Sequence, residues 1–98
     1  PEEVEEALKT LPEVVDANVV GVPDPKWGQA VTAIVELEST SQLSDEEIVE
    51  GVRRELAAYK APKHVVRVPA LLRGPNGKSD YRWAAATARS ALGLPDTD

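Results

Sequence analysis

Two β-branched runs flanking a proline- and glycine-rich turn constrain this chain more than any other feature. The first is Val14-Val15-Asp16-Ala17-Asn18-Val19-Val20-Gly21-Val22; the second, Ala30 to Glu38, reads Ala-Val-Thr-Ala-Ile-Val-Glu-Leu-Glu. β-Branched side chains lose rotamer freedom in a helix and pack well on a pleated surface, so both runs read as strands. Between them, Pro23-Asp24-Pro25-Lys26-Trp27-Gly28 supplies turn chemistry, and the runs form a hairpin across it.

The flanking segments carry helical periodicity. Pro1 suits the first helical turn, and Glu2 and Glu3 suit the positive end of the helix dipole. Val4, Ala7, Leu8 and Leu11 follow at three- and four-residue spacing, which predicts an amphipathic helix ending near Pro12. Ser44 and Glu47 form a capping box that opens a second helix, predicted to run to about Ala58 with Ile48, Val52, Leu56 and Tyr59 on its apolar stripe. Gly51 weakens that helix by about 1 kcal/mol relative to alanine, and Pro62 bars its continuation. His64 to Val68 alternates as a third strand. Asp80 caps a last helix carrying Trp83, Ala84, Thr87, Ala88 and Ala91, stopped by Gly93 and Pro95. The expected fold is α+β, a small three-stranded sheet packed with about three helices over residues 1–93, with a disordered tail at 94–98.

Composition narrows the function classes. Ninety-eight residues suit one small domain, and 42% hydrophobic content argues against disorder. No apolar run reaches the length of a membrane span. Seventeen acidic against eleven basic residues give a net charge of -6, which argues against nucleic acid as a partner. The absence of cysteine excludes thiol chemistry and agrees with a cytoplasmic setting. With one histidine besides, a zinc site is not expected. The chain also contains no methionine and opens on a helix start, so it reads as part of a longer protein.

Three segments carry candidate chemistry. Pro75-Asn76-Gly77-Lys78 fixes one backbone angle, then permits a left-handed turn, and presents Lys78 on an expected mobile tip. A lysine there is either a solvated turn residue or a point charge meeting a phosphate or carboxylate off the domain. Gly77-Lys78-Ser79 ends like a nucleotide-binding P-loop, but the glycine required five positions before Gly77 is Leu72, so that reading fails. Trp27, beside Gly28, either covers the sheet edge or stacks on a flat ring such as adenine. Tyr59-Lys60-Ala61-Pro62-Lys63 is either a capped helix end or a phosphate-contacting patch in an acidic chain. His64 reads as structural. Asp24, Asp45, Glu46 and Glu47 read as turn and cap residues, not as a catalytic pair or metal cage.

Taken in order, Pro1-Glu2-Glu3-Val4-Glu5, Val19-Val20-Gly21-Val22-Pro23-Asp24, Trp27-Gly28-Gln29-Ala30-Val31, Tyr59-Lys60-Ala61-Pro62-Lys63 and Pro75-Asn76-Gly77-Lys78 resemble the C-terminal domain of AMP-forming acyl-CoA synthetases. That superfamily also contains peptide-synthetase adenylation domains and firefly-type luciferases. The resemblance covers residues 1 to about 85. It departs from the family at Leu71-Leu72-Arg73-Gly74, where many relatives carry Leu-Pro-Arg-Thr, and the glycine is expected to loosen the loop. Ser79-Asp80-Tyr81-Arg82-Trp83 resembles certain bacterial fatty-acyl-CoA ligases more than peptide-synthetase domains.

The resemblance implies an acid–thiol ligase fragment, inactive alone, belonging to fatty-acid metabolism. Lys78 would be the catalytic lysine that enters the active site while the substrate carboxylate attacks the α-phosphate of ATP. The domain would then rotate, and coenzyme A would attack the acyl-adenylate. Trp27, Tyr59, Lys60 and Lys63 would lie on the coenzyme A side, with Lys63 the better phosphate contact and Pro75, Asn76 and Gly77 supporting the lysine. ATP and coenzyme A would be substrates. Mg²⁺ would act in the full-length enzyme without binding this domain, and the principal partner would be a large N-terminal domain. Two alternatives stay open: a peptide-synthetase-type domain whose acceptor is a carrier protein, and a non-catalytic binding module of the same fold.

Overall fold

The computed structural model describes residues 2–26, 28–57 and 60–94. The chain runs α1 (Glu2–Lys9), β1 (Val14–Asp24), β2 (Gly28–Leu37), α2 (Asp45–Glu55), β3 (His64–Arg67) and α3 (Tyr81–Ala91). The sheet has the order β1-β2-β3. β1 and β2 pair antiparallel from Val14–Leu37 to Asp24–Gly28, so the strands extend into the segment expected to be all turn. β3 lies parallel to β2, pairing Thr32 with His64 through Val35 with Arg67. A parallel neighbour requires a crossover, and α2 lies within that connection.

The sheet is covered on both faces. Val4, Ala7 and Leu8 of α1 and Ile48 and Val52 of α2 pack with Ala17, Val19, Ala33 and Val35 on one face. Ala84 and Ala88 of α3, with Leu71, pack with Val22, Ile34 and Val66 on the other. Side chains alternate across a strand, so each β2 residue serves one face or the other. Ala91, expected on the α3 apolar stripe, is exposed.

Helix ends follow local chemistry. Ser44 Oγ accepts from the Glu47 amide at 3.1 Å, and Glu47 Oε1 accepts from the Ser44 amide at 2.8 Å, the reciprocal box expected. The bond from the Ser44 amide, and after it the Ser44 hydroxyl, hold the Glu47 carboxyl below its ordinary range. α2 ends earlier than expected. Leu56 turns extended (φ -130°, ψ 168°) after its amide bonds Val52 O, and its side chain packs against the α1–α2 core. Ala58 and Tyr59, assigned to this helix from periodicity, lie outside the described residues. Leu94, placed in the expected tail, packs against the α3-side core; residues 95–98 lie outside the described residues.

One irregularity in β1 bears on the site. Val14 pairs with Leu37, but Asp16 pairs with Glu36, leaving Val15 as an extra residue that is 53% exposed. Leu37 and Glu36 are consecutive and face opposite ways. The bulge therefore sends Val14 into the α1–α2 core and Asp16 to the other face.

Candidate functional site

The segment between β3 and α3 folds into a small hairpin. Arg73 and Ser79 pair antiparallel across it. Inside that pair, the Gly74 amide donates to Lys78 O at 2.8 Å and the Gly77 amide donates to Gly74 O at 2.9 Å. Pro75 presets one turn angle, and Gly77 sits at φ 80°, a left-handed conformation that residues with a side chain rarely adopt. Asn76 Oδ1 accepts from the Lys78 amide at 3.4 Å. The left-handed position expected from the sequence is thus present. The turn itself is closed by hydrogen bonds, so Lys78 sits on a defined hairpin, and Gly74 belongs to its closing pair. Lys78 is exposed, as are Pro75, Asn76 and Gly77.

The base of the hairpin is fastened to the sheet. Arg73 presents a fork to Asp16, with Nε donating to Oδ2 at 3.0 Å and Nη2 donating to Oδ1 at 2.5 Å. Arg73 Nη1 also donates to Ser79 Oγ at 3.0 Å, joining the two arms. Lys9 Nζ stands 3.8 Å from Asp16 Oδ1. Burial works to raise the Asp16 carboxyl, but the bonds from Arg73 and the Ala17 amide and the charges of Arg73 and Lys9 outweigh it, leaving the carboxyl below its ordinary range. The same bond to Asp16 raises Arg73 further. Before the hairpin, the Leu71 amide donates to Glu36 Oε1 at 3.2 Å. Beyond it, Asp80 Oδ1 accepts from the Trp83 amide at 3.0 Å and caps α3. Tyr81 Oη donates to the buried Glu5 at 2.8 Å, and Glu5 Oε2 accepts from the Val19 amide at 2.8 Å. Burial, then the bond to Glu5 and its charge, raise the Tyr81 hydroxyl above its ordinary range.

The second expected site is divided. Lys60 Nζ lies 2.5 Å from Glu3 Oε1 and borders a shallow groove with Val4, Val19, Gly21 and Val31. Lys63 is exposed and borders another groove, of about 600 Å³, with His64, Asp45, Glu46 and Arg53. The two lysines therefore face different hollows. Trp27 and Tyr59 lie outside the described residues. Asp24 Oδ1 accepts from the Lys26 amide at 2.8 Å, and Asp45 pairs with Arg67 at 2.9 Å, which gives both acids structural partners.

Sequence reading did not find the residues that brace Lys78. Arg73 stood beside the recognised loop, yet its partner Asp16 is 57 positions away, and Glu5 is 76 positions from Tyr81. The available signal was an aspartate interrupting a β-branched run, but only the bulge determines where it points.

The chain's similarities agree with this geometry. The AMP-binding enzyme C-terminal domain family matches residues 3–78, ending on the hairpin lysine. A medium/long-chain-fatty-acid–CoA/3-oxocholest-4-en-26-oate–CoA ligase of Mycobacterium tuberculosis is 51% identical over 84 residues, which are 86% of this chain and 15% of that protein. A 3-oxocholest-4-en-26-oate–CoA ligase of Rhodococcus rhodochrous is 49% identical over the same share of each. Among solved structures, a fatty acyl CoA synthetase of M. tuberculosis superposes with a TM-score of 0.84 at 34% identity, covering 97% of this chain and 18% of its own. MatB of Rhodopseudomonas palustris, in its apo form, gives 0.85 at 31%, covering 93% and 18%. The chain thus spans less than a fifth of each of these relatives. With three helices on a three-stranded sheet among its described residues and a lysine closing its hairpin, the chain belongs to the family of AMP-binding enzyme C-terminal domains.

Proposed function

We propose that this chain is the mobile C-terminal domain of an ATP-dependent, AMP-forming fatty-acid–CoA ligase, and that Lys78 is its catalytic residue. The observation that carries this is the exposed ammonium at the end of a closed, braced hairpin, in a chain 51% identical to a fatty-acid–CoA ligase. A charge displayed in that way suits a reaction centre on a second body, here a large N-terminal domain holding ATP and the carboxylic acid.

In the first half-reaction, a carboxylate oxygen forms a bond to the α-phosphorus and the bond to pyrophosphate breaks. Negative charge builds on the phosphoryl oxygens as this proceeds. A positioned ammonium neutralises that charge and needs no proton transfer, which is the contribution Lys78 makes. In the second half-reaction, the coenzyme A thiolate attacks the acyl carbon and AMP leaves. Lys63, exposed at the mouth of its groove, is the residue we assign to the phosphates of coenzyme A. Lys60, bonded to Glu3, is the weaker contact. Among the described residues there is no group of three or more His, Asp or Glu that could hold a metal. We place Mg²⁺ with ATP on the large domain. Among the described residues no helix is long and apolar enough to cross a membrane, and we place the ligase in the cytoplasm.

The test is Lys78→Ala in the complete ligase. ATP–pyrophosphate exchange is expected to fall by roughly two to three orders of magnitude, the usual loss for one group stabilising developing charge. Thioester formation from supplied acyl-adenylate is expected to persist. Equal loss of both steps would reject a role confined to adenylation.

A further inference from the structure

We infer that Asp16 and Arg73 are positioning residues for Lys78, forming a clamp that sets where the hairpin delivers its charge. This rests on the assignment of Lys78 to adenylation. A lysine has a long flexible stem, so the location of its ammonium depends on the location of its backbone. A turn held only at its ends by chain connectivity would spread that backbone over several ångströms. Misplacing a reacting group by about 1 Å can cost a hundredfold in rate. Delivery to a site on another body therefore requires the hairpin to be fixed to its own domain.

The structure supplies such a fixing at the residue next to Lys78. Ser79 pairs with Arg73 across the hairpin, by backbone bridge and by the 3.0 Å bond from Nη1 to Oγ. Arg73 in turn grips both oxygens of Asp16. A planar fork on a carboxylate fixes direction as well as distance, which a single point contact would not. Asp16 is available because the β1 bulge at Val15 moves it off the face occupied by Val14. Its side chain is only 18% exposed, and that of Arg73 is 32% exposed, so the pair is shielded more than a surface ion pair. Leu71, bonded through its amide to Glu36, anchors the incoming arm, and Tyr81, bonded to Glu5, anchors the outgoing one. Only the short stretch from Gly74 to Lys78 lies beyond the clamp.

A clamp that acts only through the placement of Lys78 has as its signature a loss in one half-reaction alone. In the complete ligase, Asp16→Asn keeps the side chain's shape and removes the charge that the fork grips. Its adenylation kcat is expected to fall at least tenfold, with KM for ATP within about twofold of the parent and thioester formation from supplied acyl-adenylate unchanged. Arg73→Lys keeps the charge but loses the fork and the link to Ser79, and is expected to show the same split to a smaller degree. If Asp16→Asn does not fold, Arg73→Lys alone decides the matter. Lys78→Ala is measured in parallel. Parent-like adenylation in Asp16→Asn and Arg73→Lys, beside a dead Lys78→Ala, would overturn the clamp and leave the lysine assignment standing. Equal loss of both half-reactions in the clamp variants would also overturn it, because that pattern marks general destabilisation. Retained adenylation in Lys78→Ala would instead overturn the assignment on which the clamp depends.

Discussion

Replacing Gly51 with alanine sets two effects of known sign against each other, and the structure says which wins. Gly51 lies inside α2, where alanine is favoured by about 1 kcal/mol. A Cβ built at this position would stand 2.6 Å from Leu11 Cδ2, 3.1 Å from Cδ1 and 3.3 Å from Cγ. Ordinary carbon contacts begin near 3.5 Å, so the leucine must yield by about 1 Å. Leu11 is half-buried against the α1–α2 core, and overpacking of that kind costs about 1–3 kcal/mol. Gly51→Ala alone should therefore destabilise by roughly 1 kcal/mol. Leu11→Ala alone loses part of a leucine's burial, about 1–2 kcal/mol. In that background the clash is gone, and Gly51→Ala should stabilise by about 1 kcal/mol. The cycle thus carries a coupling of about 2 kcal/mol. Urea unfolding of the four chains, followed by far-ultraviolet circular dichroism, reads it directly. If Gly51→Ala stabilises equally in both backgrounds, the Leu11 side chain does not press on Gly51 as described.

Three further outcomes are expected. Asn18 is buried with neither side-chain polar atom hydrogen-bonded among the described residues, so Asn18→Leu should raise the unfolding free energy by about 1 kcal/mol; a loss would show that the amide is satisfied in solution. The Asp16 carboxyl has a depressed folded-state pKa, so its stabilisation is complete above the unfolded value, about 3.9, and disappears as the pH falls through the folded one. The drop in urea midpoint between pH 7 and pH 3 should therefore be smaller in Asp16→Asn, and an unchanged drop would deny the pair its role in the fold. Lys63→Glu in the complete ligase should raise KM for coenzyme A by about tenfold and leave that for ATP alone, as one charge-assisted phosphate contact is worth about 1.5–3 kcal/mol; an unaltered KM for coenzyme A would remove Lys63 from that site.

What could be read from the residues was what local chemistry decides. The capping box at Ser44 and Glu47, the Asp80 cap and the β1–β2 hairpin each depend on groups a few positions apart, and each is found as expected. The left-handed glycine before Lys78 was legible for the same reason. The features missed depend on separation in the chain. Whether Asp16 faced the core or the hairpin turned on one bulged residue, Val15, in a run whose β-branched character gives no sign of it. The expected basic patch divided because Glu3, 57 positions before Lys60, reaches that lysine. The second helix stopped at Glu55 because Leu56 turns extended and packs on the α1–α2 core, which periodicity along the chain cannot anticipate.

The central strand β2 gives Ala33 and Val35 to one core and Ala30 and Ile34 to the other, while bonding strands on both of its edges. Neither core can open fully without exposing β2, so the two share a single cooperative unit. Amide hydrogen exchange should show this as a plateau of slow, matched protection along Ala33 to Val35, reachable only through global opening. α3, which places just Ala84 and Ala88 in the buried cluster, should exchange sooner through local opening. A domain built this way would keep its sheet intact while the helix following the lysine hairpin breathes.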